Sequence, residues 1–167
     1  GACRMCVVST EAGGRKGVQA SCTTPVMADM VVETNSEEVV ELRRGITDLL
    51  MSEHPHGCLT CHRAELCGPQ DICQRHVAVT DRCTICPKNE RCELKDTVRF
   101  MKLDLTSSLD YHRRDLPIHT DDPFYDRDYN LCIVCVRCVR ACDEVRGDSA
   151  LSMVSRSGVA LVGTSHG

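Results

Sequence analysis

The chain has 167 residues and a formal net charge of −4, a length that suits one or two small domains and excludes a large catalytic core. It carries two Phe, three Tyr and no Trp against fourteen Cys, so large apolar side chains are scarce and cysteine approaches the share at which its chemistry defines a scaffold. The acidic balance argues against nucleic acid as the main partner, because phosphate binding needs a basic surface, and no apolar run approaches the ~20 residues of a membrane helix.

Residues 1–33 read as short strands at 5–9, 18–22 and 27–33, with a turn at Gly13-Gly14. The chain begins at Gly1, inside a cysteine motif, with neither an initiator Met nor a signal peptide, and reads as a piece of something longer. Residues 35–51 read as a helix with Asn35 as N-cap and Glu38 three positions on, burying Val39, Leu42, Ile46, Leu49 and Leu50 on one face. Core packing is sufficient reason for that stripe. The segment 54–92 has seven cysteines and little periodicity, so liganded loops must organise it. A second helix is expected over 90–103. Residues 104–130 are polar, rich in Asp and interrupted by Pro117 and Pro123, which reads as a connector with a solvated acidic loop. A cysteine loop then runs into a short helix ending near Arg146, and 150–154 and 159–162 flank Ser157-Gly158 as a hairpin.

Fourteen cysteines suit either disulfides or metal, and spacing separates the two. Cys3-x2-Cys6, Cys58-x2-Cys61, Cys83-x2-Cys86 and Cys132-x2-Cys135-x2-Cys138 aim neighbouring thiolates from one tight loop at one centre, whereas disulfide frameworks more often join distant cysteines. Metal-bound thiolates imply a reducing compartment, most simply the cytoplasm or the cytoplasmic face of a membrane complex. There is also an internal repeat: Cys58-x2-Cys61-x5-Cys67 recurs 25 residues later as Cys83-x2-Cys86-x5-Cys92, with Glu65/Glu90 and Asp71/Asp96 at the same offset.

The strongest signal is Cys132-x2-Cys135-x2-Cys138-x3-Cys142. It is similar to the bacterial ferredoxin run, in which the first three thiolates hold one [4Fe-4S] cluster and the fourth holds a different one. Zinc prefers two separated pairs and fits a triplet plus one poorly. Asp143 stands where that run has Pro, and Val136 stands where a smaller residue would let the loop approach the sulfide. The second signal is His54-x3-Cys58-x2-Cys61-x5-Cys67. A neutral imidazole can replace one thiolate at iron; taken alone, a histidine placed as His54 is more often a helix-end residue than a ligand, and His56 and His62 compete for the role.

The segments from Gly1 to Cys6, from His54 to Cys67 and from Arg127 to Arg140 together resemble the iron–sulfur N-terminal region shared by three oxidoreductases. These are the G subunit of NADH:quinone oxidoreductase, the catalytic subunit of NAD-linked molybdopterin formate dehydrogenases, and iron-only hydrogenases. The resemblance implies an α+β chain in four parts. Residues 1–34 would be the C-terminal part of a ferredoxin-like β-grasp [2Fe-2S] domain, and 35–103 a His-ligated [4Fe-4S] segment with an extra four-Cys site. Residues 104–130 would be the connector, and 131–167 the first part of a bacterial-ferredoxin-like [4Fe-4S] domain. It implies that Cys3, Cys6 and Cys22 are three ligands of the [2Fe-2S] cluster, whose first ligand would precede Gly1; the lesser alternative for Cys22 alone is an inert buried strand thiol. It makes His54 a ligand with Cys58, Cys61 and Cys67, and implies NADH- or flavin-binding subunits and the remainder of the polypeptide as partners.

In the second copy Val79 occupies the position of His54, so Cys83, Cys86 and Cys92 need a fourth ligand, either Cys73 or His76. A zinc site on Cys73, Cys83, Cys86 and Cys92 is the rival to an extra [4Fe-4S] cluster there. With Cys73 included, every one of the fourteen cysteines has an iron to bind, in about three [4Fe-4S] clusters, a shared one reached through Cys142, and an incomplete [2Fe-2S] site. Nothing resembles a nucleophile triad, phosphate loop or dinucleotide fingerprint, so no catalytic residue is assigned. The expected function is an electron relay, with a zinc-bound structural or interaction module as the alternative. Cys142 leans toward the formate dehydrogenase or hydrogenase type.

Overall fold

Two strands, β1 (Val7–Ala12) and β2 (Arg15–Ala20), form an antiparallel hairpin paired from Val7↔Ala20 to Ala12↔Arg15. Their connection is Gly13-Gly14, with both φ positive at 56° and 75°, the left-handed pair that follows strand twist without a Cβ penalty. The structure is a computed structural model that describes residues 1–55, 57–73, 82–103, 109, 111–112, 114–156 and 158–164. On the other side of β1 lies β3 (Val31–Glu33), giving the order β2-β1-β3. The first strand starts later than the sequence suggests because residues 3–6 are a turn, closed by the Val7 amide donating to the Arg4 carbonyl at 3.3 Å. Residues 27–30 likewise turn rather than extend, with Asp29 at φ 56°.

Helix α1 (Glu37–Ser52) is capped one residue beyond Asn35, by the Ser36 hydroxyl accepting from the Val39 amide. Its buried face also differs from the apolar stripe. Val39, Thr47 and Met51 are buried, whereas Leu42 and Leu49 are exposed. Arg43 explains the rotation. Its guanidinium donates to the Val7 carbonyl through Nε (3.1 Å) and Nη2 (2.6 Å) and to the Thr34 carbonyl through Nη1 (2.9 Å), docking the helix on β1. Thr47 sits one turn on, with its hydroxyl bonded to the Arg43 carbonyl, so the seam runs along i, i+4 positions that are partly polar.

The main buried cluster is Met51, Leu59 and Val98, with Cys83, Leu94 and Leu103 packed against it. It joins the end of α1, the first cysteine turn and α2 (Glu93–Phe100). Residues 89–91 form a single 3-10 turn, so α2 begins at Glu93, later than the pattern suggests. The connector is tied down at both ends: the His112 amide donates to the Ser52 carbonyl at 2.8 Å, and the buried Asn130 carboxamide bonds both backbone groups of Leu116. Beyond it come α3 (Arg137–Arg140), a π-helical turn (Ala141–Arg146) and the hairpin β4 (Leu151–Arg156)–β5 (Val159–Thr164). The described residues thus form a small mixed α/β protein with small sheets and few helices. Among the described residues no helix is long and apolar enough to cross a membrane.

Candidate metal centres

The hairpin register builds the first site. Val7↔Ala20 pairing and the Ser21 amide bonded to the Cys6 carbonyl at 3.0 Å bring the chain before β1 against the chain after β2. Cys6 Sγ and Cys22 Sγ are therefore 3.2 Å apart, with Cys3 half-buried on the same turn. Two thiolates on one tetrahedral metal sit ~3.8 Å apart, given metal–sulfur bonds of ~2.3 Å, so this pair needs only a small adjustment. Burial pushes the Cys6 thiol up, but hydrogen bonds from Cys22 and Ser21 outweigh it and leave Cys6 below its ordinary value.

The two repeat copies have the same backbone. In the first, amide-to-carbonyl bonds run Cys61→Cys58, Ala64→Cys61 and Leu66→Arg63 at 3.1, 3.2 and 2.9 Å. In the second they run Cys86→Cys83, Asn89→Cys86 and Arg91→Lys88 at 3.0, 3.0 and 2.9 Å. Each ends in a one-turn 3-10 helix leading into the last cysteine, Cys67 or Cys92. The copies touch: the Thr84 hydroxyl donates to the Cys67 carbonyl at 3.0 Å. The Cys83 thiol is pushed well above its ordinary value, first by its hydrogen bond with Cys58, then by burial and by the charges of Cys58 and Cys92. A cleft of about 290 Å³ opens beside Cys61, between the first turn and α2.

His54 follows α1 directly, with its amide on the Met51 carbonyl. Its Nδ1 lies 2.9 Å from the Pro55 carbonyl, an acceptor; a neutral ring donating there has its lone pair on Nε2, the arrangement of a metal-binding histidine. His62 is exposed, and Cys73 is half-buried. His56, His76 and Val79 lie outside the described residues.

The Cys132–Cys138 loop bends sharply. Val134 and Val136, which flank Cys135, have φ of 55° and 64°. Left-handed geometry at a β-branched residue costs of order 1–3 kcal/mol and persists where the surroundings impose it. The bend turns the Val134 amide onto Cys132 Sγ at 3.4 Å; the Lys95 amide does the same for Cys92 Sγ. Amide donors on sulfur are what cluster thiolates use to stabilise their charge, so both donor sets fit such a group. Cys138 lies on α3 and Cys142 on the π-helical turn.

Of the basic residues flanking the cysteines, Arg137 is paired with Glu93 and Arg140 with Glu144. Arg137 is held above its ordinary value chiefly by Glu93, with Cys135 and Cys3 adding; Cys22 adds in the same way to the effect of Glu144 on Arg140. The first and last cysteine loops therefore lie within electrostatic reach of the same helix. Two cations had no signal in the motifs. Arg114, inside the connector, has a buried side chain that donates to the carbonyls of Tyr129 and Cys132 and lies 3.7 Å from Glu53, beside His54. Lys95 is buried in the first turn of α2. None of the fourteen cysteines is joined to another in a disulfide. Among the described residues no three His, Cys, Asp or Glu side chains converge on one metal-ion position.

Residues 43–78 match the family model of the NADH-ubiquinone oxidoreductase-G iron-sulfur binding region, and residues 1–37 match the 2Fe-2S iron-sulfur cluster binding domain. The chain is 32% identical to the NADP-reducing hydrogenase subunit HndD of Solidesulfovibrio fructosivorans, covering 96% of this chain and 23% of that protein. It is 29% identical to the mitochondrial NADH-ubiquinone oxidoreductase 78 kDa subunit of Candida albicans, covering 98% of this chain and 19% of that protein. A crystal structure of an NAD+-reducing [NiFe]-hydrogenase in the H2-reduced state contains a chain that matches with a TM-score of 0.71 at 27% identity, over 99% of this chain and 57% of that one. The chain thus spans less than a quarter of these curated relatives, and over that span it matches the N-terminal iron–sulfur region of NADH-quinone oxidoreductase G subunits and of hydrogenase subunits.

Proposed function

We propose that the chain relays single electrons through iron–sulfur clusters within a larger oxidoreductase of the NADH dehydrogenase, hydrogenase or formate dehydrogenase type. The observation that carries this reading is the paired left-handed valines, Val134 and Val136. A loop that only connected elements would not keep two β-branched residues in that region, whereas a loop that wraps a group between its thiols must.

In this reading Cys132, Cys135 and Cys138 hold one [4Fe-4S] cluster, His54 with Cys58, Cys61 and Cys67 a second, and Cys73, Cys83, Cys86 and Cys92 a third. Cys142 reaches a further cluster, and Cys3, Cys6 and Cys22 serve a [2Fe-2S] centre in a ferredoxin-like β-grasp segment over residues 1–34. Such clusters take up and release one electron each. The protein's part is to hold the thiols, place amides on their sulfurs and set the nearby charge. Arg137, whose charge reaches both Cys135 and Cys3, is a cation that the first and last sites would share. The donor and acceptor belong to the rest of the polypeptide and to NADH- or flavin-binding partners in a reducing compartment.

The test is a dithionite titration of anaerobically prepared protein, followed by visible absorption and low-temperature EPR. Broad brown absorption that bleaches, with reduced-cluster signals, is expected. A colourless protein without those signals would overturn the reading.

A further inference from the structure

The two copies of the cysteine turn differ in charge as well as in ligands. At the 25-residue offset His54 corresponds to Val79, and Gln70 to Lys95. Gln70 is exposed, whereas Lys95 is 5% exposed. A buried ammonium is costly unless its charge is answered. Lys95 Nζ donates to the Asn89 carbonyl at 2.7 Å and to Asn89 Oδ1 at 3.1 Å, both within the second turn. Its ion-pair partner among the described residues, Glu65 at 3.4 Å, is 60% exposed and is shared with Arg99. That carboxylate is too well solvated to answer the charge alone. Lys95 itself borders the second turn's thiols: its backbone amide donates to Cys92 Sγ at 3.4 Å, and its positive charge acts, as the least of several influences, to lower the Cys83 thiol.

The ligand sets supply the missing charge. Three thiolates and a neutral imidazole serve the first copy. Four thiolates serve the second, which therefore carries one more negative charge around the same turn. We propose that Lys95 is the counter-charge of the second copy's cluster, replacing electrostatically the neutral imidazole that this copy lacks. It thereby holds the potential of the all-cysteine cluster up toward that of its His-ligated neighbour. The proposal rests on the reading of Cys73, Cys83, Cys86 and Cys92 as a cluster site.

The test compares Lys95→Gln, which installs the first copy's residue, with Lys95→Arg and Glu65→Gln in the anaerobically loaded full chain. Iron content and EPR-monitored redox titration are measured, and the second-copy signal is identified by its loss in Cys83→Ser. In Lys95→Gln the iron is expected to stay and the reduction equilibrium of that cluster to fall about tenfold, which is ~59 mV for one electron. Lys95→Arg should stay near the parent, Glu65→Gln should shift the second-copy potential the opposite way, and in Lys95→Gln the other clusters should move less than the second-copy one. Full iron with an unchanged second-copy potential in Lys95→Gln would overturn the proposal. Where Lys95→Gln does not fold, an unshifted Glu65→Gln, altered at an exposed position, overturns it instead. Loss of no iron in both Cys83→Ser and Cys92→Ser is a different result: it removes the cluster site itself.

Discussion

Cys58 and Cys83, the leading cysteines of the two repeated turns, are hydrogen-bonded to each other. With Thr84 also bonded to the Cys67 carbonyl, the two copies are in direct contact. The second turn also packs on the same Met51, Leu59 and Val98 cluster as the first through Cys83. Clusters held by these turns would be adjacent members of one path.

Adjacency has a spectroscopic consequence. When both sites are reduced, their EPR signals should broaden or split through spin–spin interaction, and Cys83→Ser should restore a simple signal from the His-ligated site. Two sharp, independent signals in the fully reduced parent would place the sites apart.

His54 places Nδ1 2.9 Å from the Pro55 carbonyl, which makes Nε2 the ring nitrogen for a ligand role in the neutral tautomer that donates there. His54→Cys should keep about four irons at that site and lower its potential, because a thiolate replaces a neutral ligand. A tenfold fall in the reduction equilibrium, ~59 mV, is the expected scale. His62→Ala, at an exposed position, should leave the potential alone. The reverse pattern in a redox titration would make His62 the ligand.

For the second copy, Cys73→Ser should remove about four irons, while His76→Ala should keep them. Metal analysis separates three outcomes: iron lost only from His76→Ala reverses the ligand assignment, iron lost only from Cys73→Ser supports it, and zinc lost from either gives the site a structural role.

Val136→Gly tests the strained loop. Relief of left-handed strain is worth of order 1–3 kcal/mol, against ~0.5–1 kcal/mol of added chain entropy for Gly. The balance favours stabilisation by about 1 kcal/mol, read as a higher thermal midpoint of the cluster-free protein. A lower midpoint would mean that Val136 side-chain packing outweighs the strain.

Cysteine turns are local objects, so their presence was legible: spacings of two and five residues determine a turn, and the 25-residue offset between its copies appears again in matching backbone hydrogen bonds. The Gly13-Gly14 hairpin was legible for the same reason. Partnerships across the chain were not. The buried face of α1 follows Arg43 and Thr47, and the partners of Arg43, Val7 and Thr34, lie in and beside the sheet, so hydropathy alone selected Leu42 and Leu49 wrongly. Lys95 carried no mark in the motifs, and Arg114 sat in a stretch read as a connector, because burial of a cation depends on carbonyls that only folding assembles.

The central claim is that these thiols hold iron and sulfide. Its most direct test is the iron, acid-labile sulfide and zinc content of anaerobically prepared protein. About twelve irons per chain with matching sulfide is the result expected from three [4Fe-4S] sites. Iron and sulfide near zero, with zinc in stoichiometric amount, would contradict the account.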